Sequence, residues 1–262
     1  MNSLKIYLVT FLFGCSLMAA GQITDFYYPV LAHSHNDYEQ EIPLQKALDN
    51  GFGSIEIDVF LFDDKIVVSH DSIDLDKKPS FTDLYLKPLA KQLTDTDHHL
   101  YLLVDIKEYR PNILVKLHEE VDHYPDLFTI KDYRKSNLTV ILSGDIPREE
   151  IMKTNVLPYF FIDGRLEHVG KQYDSELMPL ISMNFSHQIL WDGKQDLSKK
   201  QKNKLRSIIQ GVKAEGKMIR FWRTRDSELS WTNLIELGVD IIGVDDLDLF
   251  HQTMQSLGLI RN

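Results

Sequence analysis

The chain has 262 residues, with 29 Lys and Arg against 39 Asp and Glu, and a formal net charge of −10. This acidic balance argues against a nucleic-acid-binding surface and against electrostatic attachment to anionic membranes. A single cysteine excludes a disulfide scaffold, while a hydrophobic fraction of 43% is ordinary for a globular protein. An anionic substrate is still compatible with this charge, because one bound metal ion reverses the local sign.

Residues 1–21 have the layout of a cleaved secretory signal. Lys5 is their one charged side chain, and an apolar run of 15 residues, Ile6–Ala20, follows it. This run is shorter than the roughly 20 residues that a membrane-spanning helix needs. Small residues, Ala19-Ala20-Gly21, precede Gln22 as they do at signal-peptidase sites.

We therefore expect an exported protein whose mature part, residues 22–262, has no transmembrane segment and forms one domain. The alternative is a lipoprotein anchored through Cys15, although the bulky Phe13 departs from the usual lipidation pattern.

Short apolar runs alternate with helical patterns along the rest of the chain. Runs typical of buried parallel strands are Val30–His33, Ser54–Phe60, Leu100–Ile106, Leu138–Ser143, Tyr159–Asp163, Leu180–Asn184, Lys217–Trp222 and Ile241–Val244. An extra strand is predicted at Ile66–His70, and helices are predicted at Pro43–Asn50, Leu197–Glu215 and Ser227–Leu237. Strands separated by helices favour an α/β fold of the TIM-type (β/α)8 barrel class over an open doubly wound sheet. The absence of a glycine-rich nucleotide fingerprint after the first strand agrees with this choice.

Polar pairs occur at the ends of the first two predicted strands, where a barrel of this kind has its active site. His33 and His35 are two residues apart, as are Glu56 and Asp58, so each pair leaves its strand on one face. Two neighbouring inward carboxylates repel one another and lose hydration, and a hard divalent ion with oxygen ligands relieves both costs. The alternative is a solvent-facing pair on an edge strand.

Later strand ends carry matching chemistry. Asp105 and Lys107 share one face, so Asp105 can supply a third metal oxygen and Lys107 can neutralise a bound anion. The extra strand ends at His70, whose short connection from the second strand allows it to fold back over the barrel mouth. Asn184 and Asp245 end two further strands and are candidates for the same mouth.

These motifs together resemble the phospholipase-C-like phosphodiesterases. The segment from His33 to Asp71 is similar to the signature of the glycerophosphodiester phosphodiesterases. In this chain the signature reads AHSHNDY, ALDNGFGSIEIDV and KIVVSHD. VDIK at Val104–Lys107 is similar to the family's E-x-K strand, and to the Asp-x-Lys of its sphingomyelinase D branch. RFWRT and LGVDIIGVD, near the C-terminus, are similar to the family's last two strands. The AHSHNDY form most resembles the branch named for altered inheritance of mitochondria protein 6.

Two departures from the family pattern concern the substrate. The usual His-Arg-Gly is His33-Ser34-His35, which lacks the arginine that would contact phosphate. The usual Pro-Glu-Asn-Thr is reduced to Ile42-Pro43-Leu44. Both departures concern how a typical glycerophosphodiester would be recognised, whereas the three carboxylates are intact.

The resemblance implies a metal-dependent phosphodiesterase that acts on a glycerophosphodiester or a phospholipid-type substrate. One divalent cation, Mg²⁺ or Ca²⁺, is expected on the three carboxylates, and a hydroxyl of the substrate is expected to attack the phosphorus. The resemblance assigns general acid–base catalysis to a pair of histidines. The implied roles are proton transfer for His33 and His70, phosphate contact for Lys107, orientation for His35 and Asn36, and substrate contact for Trp222 and Asn184.

Two other classes of function remain open at this point. An amidohydrolase-type metallohydrolase is also a barrel opened by His-x-His, but it needs later strand-end histidines and has no role for the E-x-D and D-x-K pairs. A secreted binding barrel without turnover is the second alternative, because the His-Arg-Gly pattern is incomplete.

Overall fold

Parallel strands close into a barrel in the computed structural model, which describes residues 28–93, 98–128, 137–154 and 159–260. The strands within these ranges are β1 Leu31–Ser34, β2 Ser54–Phe62, β3 Lys65–Val68, β4 Leu100–Ile106, β5 Leu138–Gly144, β6 Phe160–Gly164, β7 Leu180–Asn184, β8 Met218–Trp222 and β9 Ile241–Val244. Their order around the barrel is β1-β9-β8-β7-β6-β5-β4-β2 and back to β1, and β3 is an antiparallel hairpin partner of β2. The predicted TIM-type barrel is therefore confirmed. Residues 1–21, the predicted signal, lie outside the described ranges.

Helices cover the outside of the barrel. They are α1 Gln45–Asp49, α2 Lys87–Leu93, α3 Pro111–Asp122, α4 Arg148–Thr154, α5 Phe185–Gln188, α6 Lys199–Lys213, α7 Glu228–Leu237 and α8 Leu247–Ser256. The predicted helices correspond to α1, α6 and α7, and their predicted ends lie within two residues of the observed ones. Among the helices of the described residues, none is long and apolar enough to cross a membrane.

Two separate apolar layers hold the barrel together. The larger one lies between the sheet and the helices, where Ile55, Ile57 and Val59 of β2 are fully buried. The smaller one fills the barrel interior with Leu103, Ile141, Leu180 and Ile241, one residue from each of four strands. Because side chains alternate along a strand, the inward residues beyond this layer are the polar ones.

Capping residues in the sequence determine where α6 begins and where α7 begins and ends. Ser198 and Gln201 form a capping box at the start of α6, and Ser227 caps α7 by accepting the Ser230 amide. Gly238 ends α7 with φ 81°, a conformation that only glycine adopts without strain.

Candidate active site

The carboxyl ends of four neighbouring strands present one polar row inside the barrel. Asp58 of β2 lies opposite Asp105 of β4, and Asp105 lies opposite Ser143 of β5. Asp163 of β6 continues the row by hydrogen bonding with Ser143. This is the end of the barrel at which (β/α)8 enzymes carry their active sites, and the predicted site residues converge there.

Glu56, Asp58 and Asp105 form a carboxylate triad whose oxygens lie within 4.8 Å of one another. Glu56 and Asp58 are buried, with Asp58 fully inaccessible. Burial raises the pKa of Asp105, and the nearby charges of Glu56 and Asp58 act in the same direction against the effect of Lys107. The three predicted metal ligands are therefore brought together as a cluster of buried or half-buried carboxylates.

Asp58 shows most directly that the triad suits a cation. Its Oδ2 accepts from the Tyr38 hydroxyl at 2.8 Å and contacts Lys107 Nζ at 2.7 Å and His70 Nδ1 at 2.9 Å. Its Oδ1 is buried without a hydrogen-bond partner. A buried carboxylate oxygen in that state is costly, and a hard divalent ion with oxygen ligands fits it.

The side chains of Lys107 and His70 both contact the carboxylate triad at Asp58. Lys107 Nζ also lies 2.7 Å from Asp105 Oδ2, and these two carboxylates raise the pKa of Lys107 although burial opposes them. The Ser69 amide donates to the Asp58 carbonyl at 3.0 Å, which holds His70 beside the Asp58 side chain. The His70 side chain is 63% exposed, so its other ring nitrogen faces the open mouth.

Gly144, the last residue of β5, makes room for Asp105. A Cβ at this position would lie 2.5 Å from Asp105 Oδ1 and 2.3 Å from the Ile106 carbonyl oxygen, and the backbone φ is +74°. Only glycine therefore allows the Asp105 carboxylate to take its place in the triad.

Glu56 has two buried partners, of which the sequence interpretation missed one. Arg220 of β8 forms an ion pair with Glu56 Oε2 across the barrel, and His33 Nε2 lies 2.9 Å from the same oxygen. Burial opposes the charged carboxylate, but Arg220 and His33 outweigh it and hold the pKa of Glu56 well below its ordinary value. Arg220 lies two residues before Trp222 and so shares its face of the strand. This spacing is the sequence signal that could have identified Arg220.

His33 is deeply buried, with 1% of its surface exposed. Its Nδ1 lies 2.7 Å from Ser54 Oγ, so both ring nitrogens have partners. Burial, reinforced by Arg220, lowers the pKa of His33 to about 4.

This lowered pKa predicts an acid-sensitive step in stability. Unfolded histidine binds a proton near pH 6.5, whereas folded His33 resists it down to about pH 4. The free energy of unfolding of the metal-free protein should therefore fall as pH drops through this window, with His33 supplying up to roughly 3 kcal/mol. We expect the free energy of unfolding, measured with urea, to fall less between pH 7 and 4.5 for His33→Gln than for the wild-type protein or for the exposed control His123→Gln. An equal fall in all three proteins would contradict this prediction.

His35 lies two residues farther along the inward face and has a different environment. Its Nδ1 is 2.7 Å from Asp245 Oδ1, and its side chain is 41% exposed. Burial lowers the pKa of His35, but the hydrogen bond to Asp245 and the charge of Glu56 raise it above the ordinary value overall. Asp226 fixes the Asp245 backbone by accepting its amide at 2.8 Å.

The other predicted substrate residues lie around the same mouth. Asn36 follows β1 in a left-handed conformation, with φ 45°. Asn184 is opposite Trp222 in the register of β7 and β8, and Asn184 Oδ1 caps α5 by accepting the Ser186 amide at 2.9 Å. Trp222 is half-buried, with the Arg223 guanidinium 5.8 Å from its ring centroid.

A second charged cluster lies beside the triad and was not predicted. Arg165 pairs with the buried Asp163 at 2.5 Å and donates to Ser143 Oγ at 3.1 Å. Arg148 donates to the Asp163 carbonyl at 2.8 Å. Burial opposes the charged forms of both guanidinium groups, while the negative charges of Asp163 and Asp105 favour them.

Sequence comparisons show which known proteins this chain is similar to. Residues 22–99 match the family described as the AIM6-like phosphodiesterase domain. Altered inheritance of mitochondria protein 6 homolog of Arthroderma benhamiae is 27% identical over 260 residues, covering 84% of this chain and 82% of the relative. Altered inheritance of mitochondria protein 6 of Saccharomyces cerevisiae is also 27% identical, covering 84% of this chain and 69% of the relative.

Solved structures share the fold at low sequence identity. A glycerophosphodiester phosphodiesterase from Parabacteroides distasonis has a TM-score of 0.57 at 16% identity, over 88% of this chain and 99% of the other. A tryptophan synthase α-subunit from Pyrococcus furiosus has a TM-score of 0.54 at 11% identity, over 89% and 99%. The structural comparisons thus confirm the barrel, and the sequence comparisons confirm the resemblance to AIM6-like phosphodiesterases.

Proposed function

We propose that this protein is a metal-dependent phosphoric diester hydrolase. The observation that carries the proposal is the carboxylate triad with its partnerless Asp58 oxygen, adjoined by Lys107 and an exposed histidine, His70. Glu56, Asp58 and Asp105 would hold one divalent cation, for which oxygen ligands favour Mg²⁺ or Ca²⁺. Such an ion supplies Lewis-acid neutralisation of a phosphate oxygen.

The residues around the triad account for the remaining needs of phosphodiester cleavage. Lys107 would neutralise charge that grows on the phosphate oxygens in the transition state. His70 would transfer a proton at its exposed ring nitrogen, while Asp58 orients the ring through Nδ1. The first strand would supply a second histidine. The attacking group would be a hydroxyl of the substrate or water.

Two features near the triad support the proposal of a substrate with two different alcohols. A cavity of about 430 Å³ beside His70 is bounded by Tyr38, Glu39, Asp71 and Lys78 among others, and it suits a polar group. Trp222 offers an apolar wall on β8. We therefore propose a substrate with one polar and one more apolar alcohol, a glycerophosphodiester or a phospholipid.

The geometry bears on the two alternatives in opposite directions. In an amidohydrolase-type site both histidines of His-x-His would bind metal, whereas both ring nitrogens of His33 are engaged, by Ser54 and by Glu56. One observation favours the non-catalytic barrel. Arg220 already neutralises the charge of Glu56, which reduces the need of that carboxylate for a metal ion.

A phosphodiester panel tests the function. The purified protein is incubated with glycerophosphodiesters, lysophospholipids, sphingomyelin and phosphoinositides in Mg²⁺, Ca²⁺ or Mn²⁺, and products are identified by phosphorus NMR. Turnover that stops with a chelator, with or without a cyclic phosphate product, is expected. Metal binding without turnover of any diester would indicate the binding barrel. In a parallel assay on amide substrates, hydrolysis that needs Zn²⁺ and does not occur with Mg²⁺ or Ca²⁺ would indicate the amidohydrolase class.

Lys107→Met separates two roles of this lysine. Its contacts with Asp58 and Asp105 suit a counter-charge, and its position suits a phosphate ligand. We expect the phosphate role to dominate, so turnover at saturating metal should fall by about 100-fold or more. The thermal unfolding temperature should change little. A variant that melts early in the metal-free state yet turns over normally with excess metal would refute the catalytic role.

We also propose that the chain is exported after removal of residues 1–21, on the basis of their charge and apolar pattern. N-terminal sequencing of the protein from its native host should begin at Gln22. Recovery of the protein from the cytoplasm with Met1 retained would contradict export, and a lipid-modified Cys15 would indicate the lipoprotein alternative.

A further inference from the structure

The two histidines at the end of β1 face the same barrel interior but are bound differently. His33 contacts Glu56 Oε2 through Nε2, and a charged carboxylate oxygen accepts, so Nε2 carries the proton. Nδ1 then accepts from the Ser54 hydroxyl at 2.7 Å. With both nitrogens used and 1% of the residue exposed, His33 has no ring atom available to a substrate.

His35 has the opposite properties. Its Nδ1 donates to Asp245 Oδ1 at 2.7 Å, which leaves the Nε2 lone pair for proton transfer. Asp245 is held in turn, because its amide donates to Asp226 and its carbonyl accepts from the Gln40 side chain at 2.9 Å. The side chain of His35 is 41% exposed at the mouth.

The arrangement of His35 repeats that of His70. Each ring donates Nδ1–H to a carboxylate, Asp245 in one case and Asp58 in the other, at 2.7 and 2.9 Å. A carboxylate on Nδ1 fixes the tautomer and the ring orientation of a histidine that works through Nε2. His33, in contrast, binds its carboxylate through Nε2.

We propose that His35, oriented by Asp245, is the proton-transfer residue that β1 contributes, and that His33 is a positioning residue for the metal ligand Glu56. This assignment rests on the proposed phosphodiesterase function. His35 Nε2 takes the proton of the attacking hydroxyl as its oxygen bonds to phosphorus. The bond from phosphorus to the leaving oxygen breaks, and that oxygen receives a proton from protonated His70 Nε2. One histidine gains the proton that the other loses.

Chemical labelling tests the assignment without any need for turnover. Diethyl pyrocarbonate acylates accessible imidazole nitrogens, and tandem mass spectrometry locates the product. In metal-loaded protein we expect label on His35 and His70, protection of both by inorganic phosphate, and none on His33. In His35→Gln the peptide that contains His33 should stay unlabelled. Label on His33, or no phosphate protection of His35, would overturn the proposal.

Paired variants test the catalytic difference. His35→Gln should lower kcat by about 10²–10⁴-fold, the usual range for a general acid or base, with unchanged metal affinity by calorimetry. His33→Gln should weaken metal binding by about 10–100-fold, as loss of a contact to a metal ligand does, and recover most of its kcat at saturating metal. The exposed His123→Gln is the matched control. A kcat loss in His33→Gln at saturating metal as large as that in His35→Gln would overturn the proposal.

Asp245→Asn tests the positioning role of the carboxylate. Burial lowers the pKa of His35 and Arg220 adds to that effect, while the hydrogen bond to Asp245 and the charge of Glu56 raise it. One limb of the pH dependence of kcat/KM should report the titration of His35. Removing the Asp245 charge should move that limb to lower pH, whereas a merely structural role of Asp245 would leave it in place. If the unchanged protein turns over no diester in the panel, the proposed function fails by itself, and the labelling and metal-binding results still decide between His33 and His35.

Discussion

Asp58→Asn is expected to weaken divalent-cation binding by more than about 100-fold while the barrel stays folded. Loss of an outer contact to a metal ligand already costs about 10–100-fold, and this change removes the charge of a ligand itself. Asp58 is the most suitable member of the triad for the test, because its Oδ1 has no hydrogen-bond partner and is the atom best suited to a cation.

The fold should tolerate this substitution for a specific reason. An asparagine oxygen at the position of Oδ2 can still accept from Tyr38, Lys107 and His70, which all contact that atom. The amide nitrogen would then replace Oδ1, where no hydrogen bond is lost. We therefore expect the thermal unfolding temperature of the metal-free variant to fall by no more than a few degrees, as for a change of about 1 kcal/mol.

Calorimetric titration with Mg²⁺, Ca²⁺ and Mn²⁺ measures the effect. Asp126→Asn, an exposed residue outside the triad, removes the same charge and is the control. Unchanged metal affinity in Asp58→Asn would exclude the triad as the metal site. An equal loss in Asp126→Asn would attribute the effect to overall charge.

His70→Asn is expected to reduce kcat by about 10²–10⁴-fold at saturating metal. The side chain is 63% exposed, so its removal should leave no cavity in the core. The asparagine amide can still donate to Asp58, but it cannot exchange a proton with the substrate. Thermal stability and metal affinity should therefore remain close to those of the unchanged protein.

The leaving group distinguishes proton transfer from other roles of His70. A general acid matters most when the leaving alcohol is a poor one and least when it is as acidic as p-nitrophenol. The kcat loss in His70→Asn should thus be much smaller on a p-nitrophenyl phosphodiester than on an alkyl diester. Equal losses on both substrates would exclude His70 as the general acid, and His123→Asn is the matched control.

Local patterns in the sequence determined the barrel and the inward face of each strand. β4, β7 and β9 begin and end at the predicted residues, because short apolar runs bounded by polar residues specify buried parallel strands well. Alternation along β2 and β4 placed Glu56, Asp58 and Asp105 on one inner surface, and the structure brings these three together.

Only the tertiary structure decided which inward side chains meet. Arg220 reaches Glu56 from 164 residues away, and Asp245 reaches His35 from 210 residues away. Two residues at positions i and i+2 leave a strand on the same face, but this spacing does not predict which strand lies across the barrel or beside it. His33 and His35 therefore have identical local patterns, and only barrel closure, which sets Ser54 and Glu56 around one ring and Asp245 beside the other, makes them chemically different.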